Sequence, residues 1–370
     1  MTTVIPPVVI LNAGSSSLKV SVLRADDTVV DALELDRWDG SPDHPELAAF
    51  LRAARDGAGA VAHRVVHGGR RFREATRLDD QVIAGIGDLT DLAPLHQPRA
   101  LAGIEAAQAA LPGVPGVACF DTAFHAGMPD EAASYALPRS WIDTFGLRRF
   151  GFHGLSHSYA ARRAGSLAGR NPGELRIVTC HLGAGASLAA VLHGHSVDTT
   201  MGFTPLEGLV MATRSGNVDP GLLIWLQQHG QVSIADLATG LETESGLAGL
   251  SARPGGDMRD ILAAAAAGDQ PARLAVDVYL HRLRREIAAM AAAMNGLDML
   301  VFTGGVGEHS PQIRARAAAG LGFLGVTIDQ ARNEATADAD ITGPGPVRVL
   351  VITAREDIEM ARQTRALLAP

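Results

Sequence analysis

Cysteine is almost missing: only Cys119 and Cys180 occur in 370 residues. That excludes a disulfide framework and the close cysteine spacing of a structural metal site. Each closes an apolar run ("VACFD", "IVTCHLG") and reads as a buried thiol at a strand end. An excess of positive charge is missing too, since 32 Lys and Arg face 40 Asp and Glu for a net charge of −8. A broad nucleic-acid surface is therefore not expected, and any bound anion must be held by a local cluster. No apolar span is long enough for a bilayer, and no basic segment followed by an apolar run opens the chain. "ILAAAAAGDQ" is short and broken by Gly-Asp. The expectation is a soluble, cytoplasmic protein with no membrane partner. With 47% hydrophobic and 19% charged residues the chain is globular, and its length suits two domains.

One pattern recurs along it. An apolar, β-branched run stops abruptly at Gly, Asn, Asp or Ser, as in "VVILNAGSSS", "VACFDTAFH", "RIVTCHLGAGAS", "MLVFTGGVGEHS" and "VRVLVITAREDIEM". The first and third continue into a second apolar run, so each reads as strand, turn and returning strand, a sign of internal duplication. The last two continue into helical patterns, with Pro311 suited to a first turn. Helices are predicted from Asp219 and from Pro271, the second with Leu274, Val278, Leu283, Ile287 and Met290 near one inward face. The segment 31–60 reads as peripheral helix and loop, and the boundary between halves falls near 149–151. Strands alternating with helices predict α/β layers with mixed sheets, whose ligands collect beyond the carboxyl ends of the strands.

Chemistry concentrates in those loops. Asn12-Ala13-Gly14-Ser15-Ser16-Ser17, followed by Lys19, offers backbone N–H groups, hydroxyls, an amide and an ammonium, which suits a phosphate, although a plain hairpin reads alike. It lacks the Gly-Lys-Ser/Thr of a Walker loop. Histidines 63, 67, 96, 125, 153, 157 and 181 punctuate the strand ends. They read as imidazoles around an anion or, singly, as satisfied polar groups. A zinc site built on His153 and His157 is opposed by Gly154, which breaks the helix such a pair needs. Arg214, on a glycine-flanked loop, suits charge on a transferring phosphoryl group, or a surface ion pair. Glu356 and Asp357 stand at a strand-to-helix junction and suit Mg²⁺ or the helix dipole.

"LNAGSSSLK", "HRVVHGG", "LAPLHQP", "FDTAFH", "GFHGLSH", "CHLGAG", "MGFTPLEGL", "TRSGNVDP", "FTGGVGE" and the final Glu-Asp resemble, in this order, the motifs of the acetate kinase family over nearly the whole chain. The resemblance implies a two-lobed, duplicated actin-like ATPase fold with a ribonuclease H-like core in each lobe. The N-terminal lobe would be 1–150, completed by the helix 356–370, and the nucleotide-binding lobe 151–355. It implies reversible phosphoryl transfer from ATP to acetate, giving ADP and acetyl phosphate, with Mg²⁺ (or Mn²⁺), in a homodimer. By the same resemblance Asn12 and Glu356 are metal-site residues, and Lys19 touches the nucleotide phosphates. Arg64 holds the carboxylate. Asp121 is the family's catalytic aspartate, and His153 and Arg214 stabilise the transition state. The nucleotide meets His181, Leu182, Gly183, Ala184, Gly185, Asp257, Met258, Arg259, Gly305, Val306, Gly307, Glu308 and His309. Val66, Leu95, Phe152 and Pro205 surround the acetate methyl.

A carboxylate nucleophile is already ionised at neutral pH, so Asp121 is expected to act through the metal or by positioning rather than as a base. Ala184 and Ala186 stand where relatives usually carry an amide and a hydroxyl near the phosphates. Met258 replaces a frequent aromatic, and His309 a usual asparagine. Relatives are usually longer around 31–60. The alternatives are propionate or butyrate kinase, separated by one methylene worth about 1–3 kcal/mol, and a non-catalytic nucleotide-binding protein on the same fold. A sugar kinase would need a base and a more polar pocket.

Overall fold

The structure is a computed structural model that describes residues 6–14 and 17–369. Ser15 and Ser16 of the expected phosphate turn lie outside them. The chain forms two compact units. Unit one is 1–127, 152–159 and 355–370; unit two is 128–151 and 160–354. The expected cut near 150 differs in detail: 128–151 pack with unit two, and 152–159 return to unit one.

In unit one, β1 (Val8–Ala13), β2 (Ser17–Leu23), β3 (Val29–Asp36), β4 (Ala60–Val65), β5 (Thr76–Arg77) and β6 (Gly116–Phe120) form a sheet in the order β3-β2-β1-β4-β6-β5. In unit two, β7 (Arg176–Leu182), β8 (Ala186–Leu192), β9 (His195–Thr199), β10 (Met299–Thr303), β11 (Ala339–Asp340) and β12 (Arg348–Val351) run β11-β12-β10-β7-β8-β9. Reversed, the second order reproduces the first strand for strand. Three antiparallel strands, two parallel neighbours and a short antiparallel edge strand appear in each. The duplication expected from the repeated strand–turn–strand pattern is thus present, with mixed sheets and flanking helices.

Period-two alternation places the site of unit one. In β1, Val9 and Leu11 join Val20, Val61, Leu47, Leu51 and Trp38 on one face. Val8 and Ile10 join Ala62, Val117, Cys119 and Met360 on the other, under the helix Glu356–Leu368. Asn12 and Arg64 continue this second face to the carboxyl ends of β1 and β4, and Asp121 follows the end of β6.

Two local expectations change. Residues 31–36 belong to β3, paired with β2. This edge strand alternates only over Leu33–Asp36, with Leu35 buried and Leu33 half-buried, while Val29 and Val30 stay exposed. The helix Gln270–Ala293 turns Ala272, Ala275, Val276, Tyr279, Leu280 and Leu283 inward, leaving Leu274 exposed and Val278 half-buried. The helix Gly154–Leu167 begins at Gly154 and leaves His153, at φ +56°, outside it, so His153 and His157 do not share a helix. A side chain at 154 would stand 2.2 Å from the Asp121 carbonyl oxygen, so the glycine also serves a close approach. Among the described residues no helix is long and apolar enough to cross a membrane.

Candidate functional site

Four polar side chains of unit one form one cluster. The Arg64 guanidinium donates from Nε to both Asp121 oxygens, at 3.2 and 3.1 Å, and from Nη2 to Oδ2 at 2.7 Å. Its Nη1 donates to Asn12 Oδ1 at 3.0 Å and lies 3.5 Å from Glu356 Oε2. Asn12 Nδ2 donates to Glu356 Oε2 at 3.0 Å. Asp121 is 1% exposed. Burial pushes its carboxyl up to about 6; the Arg64 guanidinium pulls it back only in part, and the Glu356 carboxylate adds to the rise. For Arg64, burial opposes the charge, but Asp121 and Glu356 outweigh it and hold the guanidinium protonated. Asp121 and Asn12 use part of the arginine fork and fix its plane, leaving donors for a further anion.

Backbone packing brings more of the expected residues to this cluster. Gly154 N donates to Asp121 O at 2.9 Å, which draws the 152–154 turn onto the end of β6. His153 sits in that turn at φ +56°. Gly154→Ala should cost about 1–3 kcal/mol through the clash with the carbonyl, read by urea denaturation, and should also lower turnover by displacing His153. Phe152 is buried with its ring 5.5 Å from that of His67, and Val66 is buried, whereas Leu95 is 62% exposed. Pro205 belongs to unit two. The His-Gly-Gly turn is clamped by buried Gln97, which accepts from His67 N at 3.4 Å and donates to His67 O at 3.1 Å. Sequence reading passed over Gln97 for its neighbour His96. His125 is a structural group: it is buried, meets Phe152 O at 3.1 Å, and burial pushes its pKa down to about 4.

Lys19 does not join the cluster. It faces Asn12 across the β1–β2 ladder, but its ammonium pairs with Glu34 at 2.9 Å on the surface. Asp357 likewise turns away, to Arg355 at 2.8 Å. For a metal, the relevant donors are Asn12 Oδ1 and the Glu356 and Asp121 carboxylates. An all-oxygen set with few carboxylates fits Mg²⁺, which keeps waters and shares substrate phosphates. Among the described residues no group of three or more His, Cys, Asp or Glu is placed to hold a metal.

Unit two carries a cavity of about 660 Å³. Of the residues that the resemblance assigns to the nucleotide, Gly183, Ala184, Asp257, Met258, Arg259, Gly305, Val306 and His309 line it. His181, Leu182, Gly185, Gly307 and Glu308 do not line it. Leu182 is buried in β7, and the buried Glu308 carboxylate accepts from Gly304 N at 2.8 Å and Ala354 N at 2.9 Å. Ala186, expected beside the phosphates, is fully buried in β8, whereas Ala184 borders the cavity. No motif marks Ala212, Leu247, Leu262 and Gln312, which share the same wall. Nor does any motif mark Arg314, which is fully buried and donates to Gly307 O at 2.9 Å and Glu308 O at 2.7 Å, tying down the short helix Gly304–His309 from behind. Asp257 caps the helix Met258–Ala266, and its hydrogen bonds from Arg259 hold its carboxyl down at about 2.

Arg214 lies half-buried in unit two, where Nη1 donates to Pro205 O at 3.0 Å and sits 3.6 Å from Met211 Sδ. Among the described residues no carboxylate pairs with it, so the surface ion-pair reading does not hold. Its loop is tied to the cavity wall through Ala212 N, which donates to Ala184 O at 3.0 Å.

Comparison with known proteins identifies the family. The profile of the acetokinase family matches residues 47–362. The acetate kinase of Clavibacter michiganensis subsp. michiganensis is 45% identical over 98% of this chain and 100% of its own length. That of Thermotoga maritima is 47% identical over 84% of this chain and 78% of its own. The crystal structure of Porphyromonas gingivalis acetate kinase superposes with a TM-score of 0.91 at 34% identity, covering 98% of this chain and 100% of that one. A propionate kinase from Francisella tularensis superposes at 0.89 with 32% identity, covering 97% of this chain and 99% of the other. The chain belongs to the acetokinase family.

Proposed function

We propose that this chain transfers the γ-phosphoryl group of ATP to acetate, reversibly, forming acetyl phosphate and ADP. The observation that carries the reading is the buried Arg64 fork held by Asp121 and Asn12 beside Glu356. It offers oriented N–H donors to a small carboxylate and supplies no free base, because none is needed. An oxygen of the acetate carboxylate attacks the γ-phosphorus in line, the bond from phosphorus to the β,γ-bridging oxygen breaks, and ADP leaves as an oxyanion with no proton transferred. Arg64 orients the acceptor. Asp121 holds Arg64 and shares the metal site with Asn12 and Glu356. A bound Mg²⁺ supplies charge neutralisation on the phosphates. His153 and Arg214 take the roles of donors to the phosphoryl group in flight. The cavity of unit two receives the nucleotide, with buried Met258 against the base. On that reading Met258→Ala raises the KM for ATP about 10-fold, the equivalent of about 1.4 kcal/mol of lost apolar contact, with kcat at saturation unchanged.

The deciding experiment is an assay of purified protein with Mg-ATP and acetate, propionate or butyrate in turn, trapping the acyl phosphate as hydroxamate. Highest kcat/KM on acetate supports the reading. Highest kcat/KM on propionate moves it to the activity named for the Francisella structure, and nucleotide binding without turnover overturns it.

The resemblance also points to a homodimer, and unit two exposes apolar side chains that suit one: Leu222, Ile224, Trp225, Ile234 and Leu274, with Val218 and Leu250 at a shallow cavity of about 310 Å³. Light scattering should give twice the chain mass, and Trp225→Glu together with Ile224→Glu should return the monomer. A monomeric wild type would remove this assignment.

A further inference from the structure

Of the motif "MGFTPLEGL" the proposed reaction draws on Pro205 alone. Glu207 has no part in it, yet its carboxylate is the hub of a network inside unit two. Oε1 accepts from Arg149 Nη2 at 2.6 Å, and Oε2 accepts from the Tyr135 hydroxyl at 2.5 Å. The same hydroxyl accepts from Phe203 N at 2.8 Å. Arg149 Nη1 donates to the carbonyls of Thr200 and Met201, each at 3.2 Å, and the guanidinium carbon stands 5.5 Å from the Tyr135 ring centroid. The Arg149 side chain is 18% exposed, against 84% for the ion-paired Arg139 nearby, so this is no freely solvated surface pair. Burial and the bond to Glu207 push the Tyr135 phenol above its usual range, which keeps it a proton donor to the carboxylate at neutral pH. A side chain at Gly202 would collide with both the Glu207 carboxylate and the Tyr135 hydroxyl, so the glycine leaves room for their bond.

The network holds the segment 200–207. Arg149 takes the carbonyls of 200 and 201, Tyr135 takes the N–H of 203, and 207 is held by both. Pro205 lies between the last two anchors. It has no N–H with which to fix itself, so its neighbours set its place. Its carbonyl accepts from Arg214 Nη1 at 3.0 Å, and among the described residues it is the one oxygen to which that guanidinium donates.

We propose that Tyr135, Arg149 and Glu207 are positioning residues for phosphoryl transfer, holding the Pro205 carbonyl that aims the Arg214 guanidinium. The inference rests on the role in the reaction given to Arg214. The three side chains act through that arginine, and a charge-assisted network in a partly desolvated place supplies the stiffness.

The test is a double-mutant cycle on the full chain. Tyr135→Phe keeps the ring beneath Arg149 and removes both hydroxyl contacts. It should lower kcat about 10-fold, with the KM for ATP and for acetate within about twofold of wild type. In an Arg214→Ala background the same substitution should change kcat by less than about twofold, because the group it positions is gone. Glu207→Gln, which leaves one oxygen to face two donors, should behave alike. A second readout needs no turnover: the Arg214 Nε–H signal of ¹⁵N-arginine-labelled protein, assigned by its loss in Arg214→Lys, should move in Tyr135→Phe and in Glu207→Gln. An Arg214 signal unmoved in both variants overturns the proposal. A lowered kcat in Arg214→Ala, with an equal Tyr135→Phe loss in both backgrounds, overturns the proposal alone. A wild-type kcat in Arg214→Ala overturns the role of Arg214, and the proposal with it.

Discussion

Arg64→Ala should lower kcat/KM for acetate by about 10³-fold and destabilise the protein by about 3–5 kcal/mol, because it leaves the two carboxylates it faces uncompensated. Asp121 is 1% exposed and takes three hydrogen bonds from this one side chain. Arg64→Lys keeps the charge but not the fork, so it should recover much of the stability and little of the activity. The pH dependence separates the effects. Asp121 is held at about 6 in the folded protein against 3.8 as an ordinary side chain, so between those values the native state binds more protons than the unfolded one. Stability of the Mg²⁺-free wild type should therefore fall as pH rises from about 4 to 6. Without Arg64 the folded pKa climbs further, and the deficit of Arg64→Ala should be smallest at acid pH and grow through neutrality. Urea denaturation across pH in a chelator measures both. A deficit independent of pH would mean that lost packing, not the exposed acid pair, governs the variant.

Much of the architecture was legible in the sequence because the core strands are apolar runs closed by small residues. A strand buried on both faces and ending at a site has that signature, and β1, β6, β7, β10 and β12 all show it. β3 lacked it, being an edge strand with polar residues on both faces. The Asn12, Arg64, Asp121 and Glu356 set was readable as motifs, yet not as a network, since 344 positions separate Asn12 from Glu356. Gln97 and Arg314 were invisible for a common reason. Each works mostly through backbone carbonyls, which any sequence supplies, and the one side-chain partner of Arg314 here, Asn333, lies 19 positions away. The second service of the glycine at 154, room for the nearby Asp121 carbonyl, could not be read, since only tertiary structure brings that carbonyl there. At Ala186 motif spacing put a side chain by the phosphates, whereas the strand parity of β8 turns it into the core.

Arg214→Ala should lower kcat by about 10²–10³-fold while changing stability by less than about 1 kcal/mol, the reverse of the balance at Arg64. The contrast follows from their partners. Arg64 neutralises two acids, whereas Arg214 donates to the Pro205 carbonyl beside a methionine sulfur. Burial pushes its pKa below the usual arginine range, with Glu242 opposing, yet no carboxylate holds it and removing it strands no buried charge. A half-buried guanidinium without a counter-ion is costly to the folded chain unless an anion uses it. Phosphoryl transfer supplies that anion, with charge on the equatorial oxygens greatest in the transition state. An interaction strongest there lowers kcat and kcat/KM together and leaves the KM for ATP and for acetate near their wild-type values. Arg214→Lys should recover part of the rate, since charge matters more than the fork where no planar partner is paired. Steady-state kinetics in both substrates, alongside urea denaturation, decide it. A kcat within about twofold of wild type, less than about 0.5 kcal/mol of barrier, would take Arg214 out of the reaction and leave His153 and the metal site to carry the phosphoryl charge.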